Sequence, residues 1–158
     1  MVEFALILPL LLLLMSGIVE FGRMFAIYNG VSNAGREAVR WGSVVGDSDP
    51  SQDGTQYYFL NCSGIRAAAR RSAILTPLTD NDIVIAYEEA NDDGGFTQVG
   101  NCVQNTQPDS PIENGYRIVV TISAASSPIL PLLPFPTQTF SFSAARTIFP
   151  NVVGSPAC

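Results

Sequence analysis

The chain has 158 residues, no His, eight basic residues that are all Arg, and 14 acidic residues, for a net charge of −6. Without His or Lys it lacks the usual general base, the commonest metal ligand, a Schiff-base amine and a phosphate-binding lysine. Most familiar enzyme chemistries are excluded on that ground, and an acidic chain with no basic stripe is a poor nucleic-acid binder.

Residues 1–46 read as one long helix with two jobs. From Phe4 to Val19 there is no charge, and most side chains are Leu, Ile, Val, Phe or Met. From Glu20 onward the charges balance, and Glu20–Arg23 and Glu37–Arg40 are spaced to pair along a helix. Phe21, Phe25, Tyr28, Ser32, Gly35 and Val39 step along one face, whose later half is expected to pack on a sheet, with Trp41 capping the contact. Pro9 removes one helical hydrogen bond within the apolar part. Gly17 and Gly22 permit close backbone approach.

Three roles compete for the apolar run. A cleaved signal peptide needs a basic start, and no Lys or Arg precedes Leu6. A transmembrane anchor wants about 20 apolar residues, about 30 Å of helix, and the sixteen from Phe4 to Val19 fall short of that. An assembly helix is the third role. Glu3, at the head of the run, is costly to bury unpaired. A neighbouring copy's terminal amine would neutralise it, and on physics alone a position in the headgroup layer is the simpler account.

Gly46 to Pro50 ends the helix, and residues 47–56 read as a polar loop. A second helix is expected from about Tyr57 to Leu75. It has a small-residue face of Ile65, Ala68, Ala69, Ser72 and Ala73, and Arg66, Arg70 and Arg71 gather opposite. Arg66 and Arg70 are candidate inter-subunit contacts, although a solvated face is the commoner use of such a cluster. Strands are expected at Ile83–Tyr87, Tyr116–Ser123 and from Thr137 to about Ile148, with residues 91–115 as a long surface loop. The stretch from Pro128 to Pro136 is apolar but too Pro-rich for a helix or central strand. Leu130, Leu133 and Phe135 within it are expected to pack on a neighbour or a membrane. The outline is α+β: a long helix on a small antiparallel sheet, with residues 1–46 as anchor and assembly helix and 47–158 as an extracytoplasmic domain.

Cys62, Cys102 and Cys158 are too widely spaced for a CxxC site. In an exported domain a pair would oxidise, and Cys62–Cys102 is preferred because both lie in polar, loop-like contexts. Asp80, Asp82, Asp92 and Asp93 offer oxygen ligands but fit no calcium loop, so no metal is expected. Asn61 begins an N-x-S sequon that a disulfide at Cys62 argues against using.

The ordered residues Val2-Glu3-Phe4-Ala5-Leu6, Leu8-Pro9, Gly17-Ile18-Val19-Glu20-Phe21-Gly22-Arg23 and Gly35-Arg36-Glu37-Ala38-Val39-Arg40 closely resemble the N-terminal region of TadE-like proteins. These are pilin-like proteins of the Tad branch of the type IV pilin superfamily. The resemblance covers roughly the first quarter of the chain. It implies a structural pilin with no cofactor, made as a prepilin whose leader a prepilin peptidase removes. Such a subunit waits in the bacterial inner membrane, then polymerises with copies of itself, through the assembly machinery, into an extracellular filament for adhesion or related surface functions. Glu3 would pair with a neighbour's N-terminal amine, and Phe4, Leu8, Pro9, Leu12, Gly17, Phe21 and Phe25 would form the helix-packing core. The superfamily's glutamate usually lies two positions deeper in the mature chain, so the sequence is expected to start after the leader and two mature residues. Two alternatives share these features: a minor or initiating pseudopilin, and a membrane-anchored binding domain with no assembly role.

Overall fold

The computed structural model describes residues 2–44, 57–102, 111–113, 115–128 and 137–149, without the side chains of Val2, Glu3 and Ala5. The predicted polar loop at 47–56, Leu130, Leu133, Phe135 and Cys158 lie outside these residues.

Helix α1 runs from Val2 to Gly42, about 60 Å at 1.5 Å per residue, and passes through Pro9 without ending. Its first half stands clear of the other described residues. Its second half is the backbone of the core. Ile27, Val31, Ala34 and Ala38 recur every three or four residues, and all are buried. The small residues on this side set how close the helix lies. A methyl group on Gly35 would press on the Phe142 ring, and one on Gly42 on Ile118 and Ile65.

Helix α2, Cys62–Ser72, is shorter than the sequence suggests. Asn61 caps it, its side-chain oxygen accepting from the Gly64 amide at 2.6 Å, and a separate turn of 3-10 helix, Tyr58–Leu60, precedes it. Its N-terminal end packs on α1 through Trp41, which lies against Gly64 and meets Tyr58 edge-on at 4.9 Å between ring centres.

Four strands follow: β1 Ile83–Ala90, β2 Phe96–Asn101, β3 Arg117–Ser126 and β4 Gln138–Thr147. They form an antiparallel sheet in the order β2-β1-β3-β4. The inward faces are Ile83, Ile85 and Tyr87 on β1, and Ile118, Val120, Ile122 and Ala124 on β3; all are buried. α1 covers β3 and β4, and α2 lies beside it. The fold is α+β.

One element was not expected. Residues 96–101 pair with β1 instead of forming part of a surface loop. The Asn91–Gly95 turn folds the chain back, with the Gly94 amide bonded to the Asn91 carbonyl at 3.0 Å and Gly94 at a φ of +77°. The sequence FTQVGN hides this strand because its Gly and Asn read as turn formers, and only backbone pairing with β1 reveals it.

Candidate functional site

The exposed half of α1 is the feature that sets this molecule apart. Phe4, Leu6, Ile7, Leu10, Leu11, Leu12, Leu13, Leu14, Ile18 and Val19 are all exposed large apolar residues. Single exposed apolar residues are ordinary on a protein surface, but a continuous patch of this kind marks an interaction site. The helix is long and apolar enough to cross a membrane. Phe4, Leu8, Pro9, Leu12 and Gly17 all lie in this uncovered part. A methyl group on Gly17 or Gly22 would meet nothing within 4 Å, so nothing in the described chain requires a glycine at either position.

The predicted helical stripe splits in two. Ser32, Gly35 and Val39 are buried, whereas Phe21 and Phe25 are 72% and 61% exposed. Tyr28 sits at the transition, its ring edge-on to Phe140 of β4 at 6.5 Å. Phe21, Met24, Phe25, Tyr28 and Phe140 together line an almost wholly apolar groove where α1 leaves the sheet. No short-range pattern in the sequence links Phe140 to this site, because its partners lie more than a hundred residues away.

Glu20 and Arg23 take the opposite side of the same helical turn. They pair at 3.2 Å. Arg23 also donates to the Ser126 hydroxyl at 3.2 Å and to the Ser127 backbone oxygen at 2.7 Å. The charges that follow the apolar run are thereby turned toward the end of β3. Sequence spacing exposes the Glu20–Arg23 pair but not its serine partners.

Away from this end, the sulfurs of Cys62 and Cys102 are bonded, with their Cα atoms 5.9 Å apart. The disulfide holds the end of β2 against α2, and this corrects the reading of Arg66 as part of an outward basic face. Arg66 is only 4% exposed and donates to the Cys102 backbone oxygen at 3.0 Å. It lies one helical turn after Cys62, so the side of α2 that carries the bridge also carries the arginine inward. Burial, reinforced by the nearby Arg70, lowers its pKa from the ordinary arginine value, against an opposing pull from Tyr87. Arg70 forms an ion pair with Asp80. Asp82 accepts from the Thr79 amide and hydroxyl at 2.7 and 2.6 Å. Both aspartates thus serve the chain's own structure.

A family model described as TadE-like protein matches residues 1–40. The N-terminal segment is thus similar to that family. No curated protein and no solved structure matches the chain. The matched segment contains the whole exposed run and most of the buried stripe, and it stops two residues short of the end of α1. It carries both Glu20 and Arg23, so one partner in the contact with β3 belongs to the matched segment and the other to the head, the α2 and sheet region that follows α1.

Proposed function

We propose that this chain is a structural, pilin-like subunit of a Tad-type filament and that it polymerises with copies of itself through the exposed half of α1. The observation that carries this reading is the run from Phe4 to Val19, helical, apolar and uncovered by the rest of the described chain. The TadE-like match over the same residues supports it. The subunit waits in the inner membrane with α1 inserted and the acidic head outside. Extraction by the assembly machinery then exchanges lipid for protein around the helix. Lipid is as apolar as the helix, so the gain comes from close packing rather than from release of water. Gly17 and Gly22 suit that task, because each leaves room for a neighbouring backbone. Glu3 pairs with the terminal amine of an adjacent copy and sets the register. The role is structural, and the filament serves adhesion or related surface functions.

Substituting Glu3→Ala tests this. Membrane insertion and head folding should be retained, while the yield of sheared filaments falls. Normal filaments from this variant would remove the register role. Failure to find filaments of the unmodified protein by electron microscopy would remove the polymerisation reading itself.

A further inference from the structure

We propose that the aromatic end of the head is a lipid-contacting surface. Before assembly, Phe21, Phe25 and Tyr28 of α1 and Phe140 of β4 sit in the outer part of the bilayer that α1 crosses. This rests on the reading that α1 spans a membrane.

The length of the helix requires something of the kind. At 1.5 Å per residue the uncharged run Phe4–Val19 spans about 24 Å, which is less than a hydrocarbon core of about 30 Å. Continued along the exposed face to Phe25, the apolar stripe reaches about 33 Å and closes the gap. Such an extension would ordinarily carry Glu20 and Arg23 into lipid at high cost. The structure avoids this. On a helical wheel Arg23 falls about 140–160° from Phe21, Phe25 and Tyr28, and Glu20 about 80–140° from them. They are paired with each other, and Arg23 is bonded to Ser126 and Ser127, so the charged side of this turn faces protein. The same bonds hold the end of β3 at the level of Arg23, and the Tyr28–Phe140 contact holds β4 close by. The tip of the sheet is therefore fixed at the depth where an aromatic belt belongs. The groove is continuous with the exposed face of α1 and is lined almost entirely by carbon. A bilayer fits it better than a soluble partner does, because a polar partner would find no hydrogen bonds there.

Depth-dependent fluorescence quenching of the full chain tests the proposal. The protein is placed in phosphatidylcholine–phosphatidylglycerol vesicles whose acyl chains carry bromine either near the glycerol or near the terminal methyl. Trp41, the one native tryptophan, lies far up the helix and serves as the unquenched reference. Phe140→Trp and Phe25→Trp report on the groove, and Leu14→Trp reports on insertion. The near-ultraviolet circular dichroism of Trp41 verifies folding. Phe25 is largely exposed, so its variant keeps the test informative if the change at Phe140 disturbs the sheet. The expected result is loss of the added emission from residues 25 and 140 with bromine near the glycerol, and loss from residue 14 with bromine near the methyl end. If residue 14 is quenched while residues 25 and 140 behave like Trp41, the surface is not lipid-contacting. Quenching at 25 and 140 that is present at low protein density and fades as density rises also supports the proposal, since lipid then fills the groove of the lone chain and a second copy replaces it on association. Absence of quenching at 25 and 140 at every density, with residue 14 quenched, overturns it. If residue 14 also escapes quenching, the membrane-spanning reading has failed instead.

Discussion

Arg23 on α1 donates to the backbone oxygen of Ser127 at 2.7 Å, across a sequence separation of 104 residues. It is the bond that fastens the outer end of the apolar helix to the sheet. Bonds to charged groups contribute about 1.5–3 kcal/mol, but the Arg23 side chain is 32% exposed, and solvent screening trims this. Arg23→Ala should therefore cost about 1 kcal/mol in the urea midpoint of the detergent-solubilised protein. Arg23→Lys should cost less, because it keeps the charge and loses the fork. An unchanged midpoint for the alanine variant would mean that the contact does not hold the two elements together.

The Cys62–Cys102 bridge closes a loop of 40 residues. For such a loop the chain-entropy model gives about 4 kcal/mol of stabilisation. Replacing both cysteines by Ala should lower the denaturant midpoint accordingly. It should also increase hydrogen exchange at Cys102 and its neighbours, since the bridge holds the carbonyl that Arg66 uses. A variant as stable as the parent would show that the head closes without the bridge.

Gly64 lies beneath the Trp41 ring, and a methyl group there would overlap three of its carbons. Neither helix yields cheaply, because Trp41 is also held against Tyr58. Overpacking of this kind costs typically about 1–3 kcal/mol. Gly64→Ala should lower the melting temperature and alter the near-ultraviolet dichroism of Trp41, whereas Gly17→Ala, which meets nothing within 4 Å, should leave both unchanged.

The Tyr87 hydroxyl is buried, bonded to the Phe59 carbonyl and 3.4 Å from the Cys102 sulfur. Burial raises its pKa above the ordinary tyrosine value, against a weaker pull from Arg66. In the unfolded chain the phenol ionises near pH 10, while the folded head keeps it neutral to higher pH. The unfolded state thus binds fewer protons in that window, and stability must fall as pH rises through it. Urea midpoints taken from pH 8 upward should be level at first and then drop from about pH 10. Tyr87→Phe should flatten the drop, and an equally steep decline in that variant would assign the effect to other groups.

Much of this architecture is legible in residue order. The long helix shows itself by its uncharged run and its paired charges, β3 by its β-branched run and β4 by its clean alternation. Arg66 misleads because three arginines close together in a helix suggest a solvated face, and only the disulfide one turn earlier reveals which side is inward. β2 is concealed because Gly100 and Asn101 and the turn-rich residues around FTQVGN read as loop, and its pairing with β1 outweighs them. The groove at the head's inner end is invisible in the sequence for another reason. Phe140 looks like any inward strand residue until the topology sets it beside Tyr28.

The last of the described strands completes the packing of α1. Phe142 of β4 fills the space left by Gly35, and Phe140 meets Tyr28. A ribosome adding about 5–20 residues per second needs on the order of ten seconds to travel from Tyr28 to Phe140. Through that interval the apolar helix is complete while Tyr28 and Gly35 still lack their partners on β4. The nascent chain thus has a period of exposure built into its topology, in which premature association or proteolysis competes with closure of the fold.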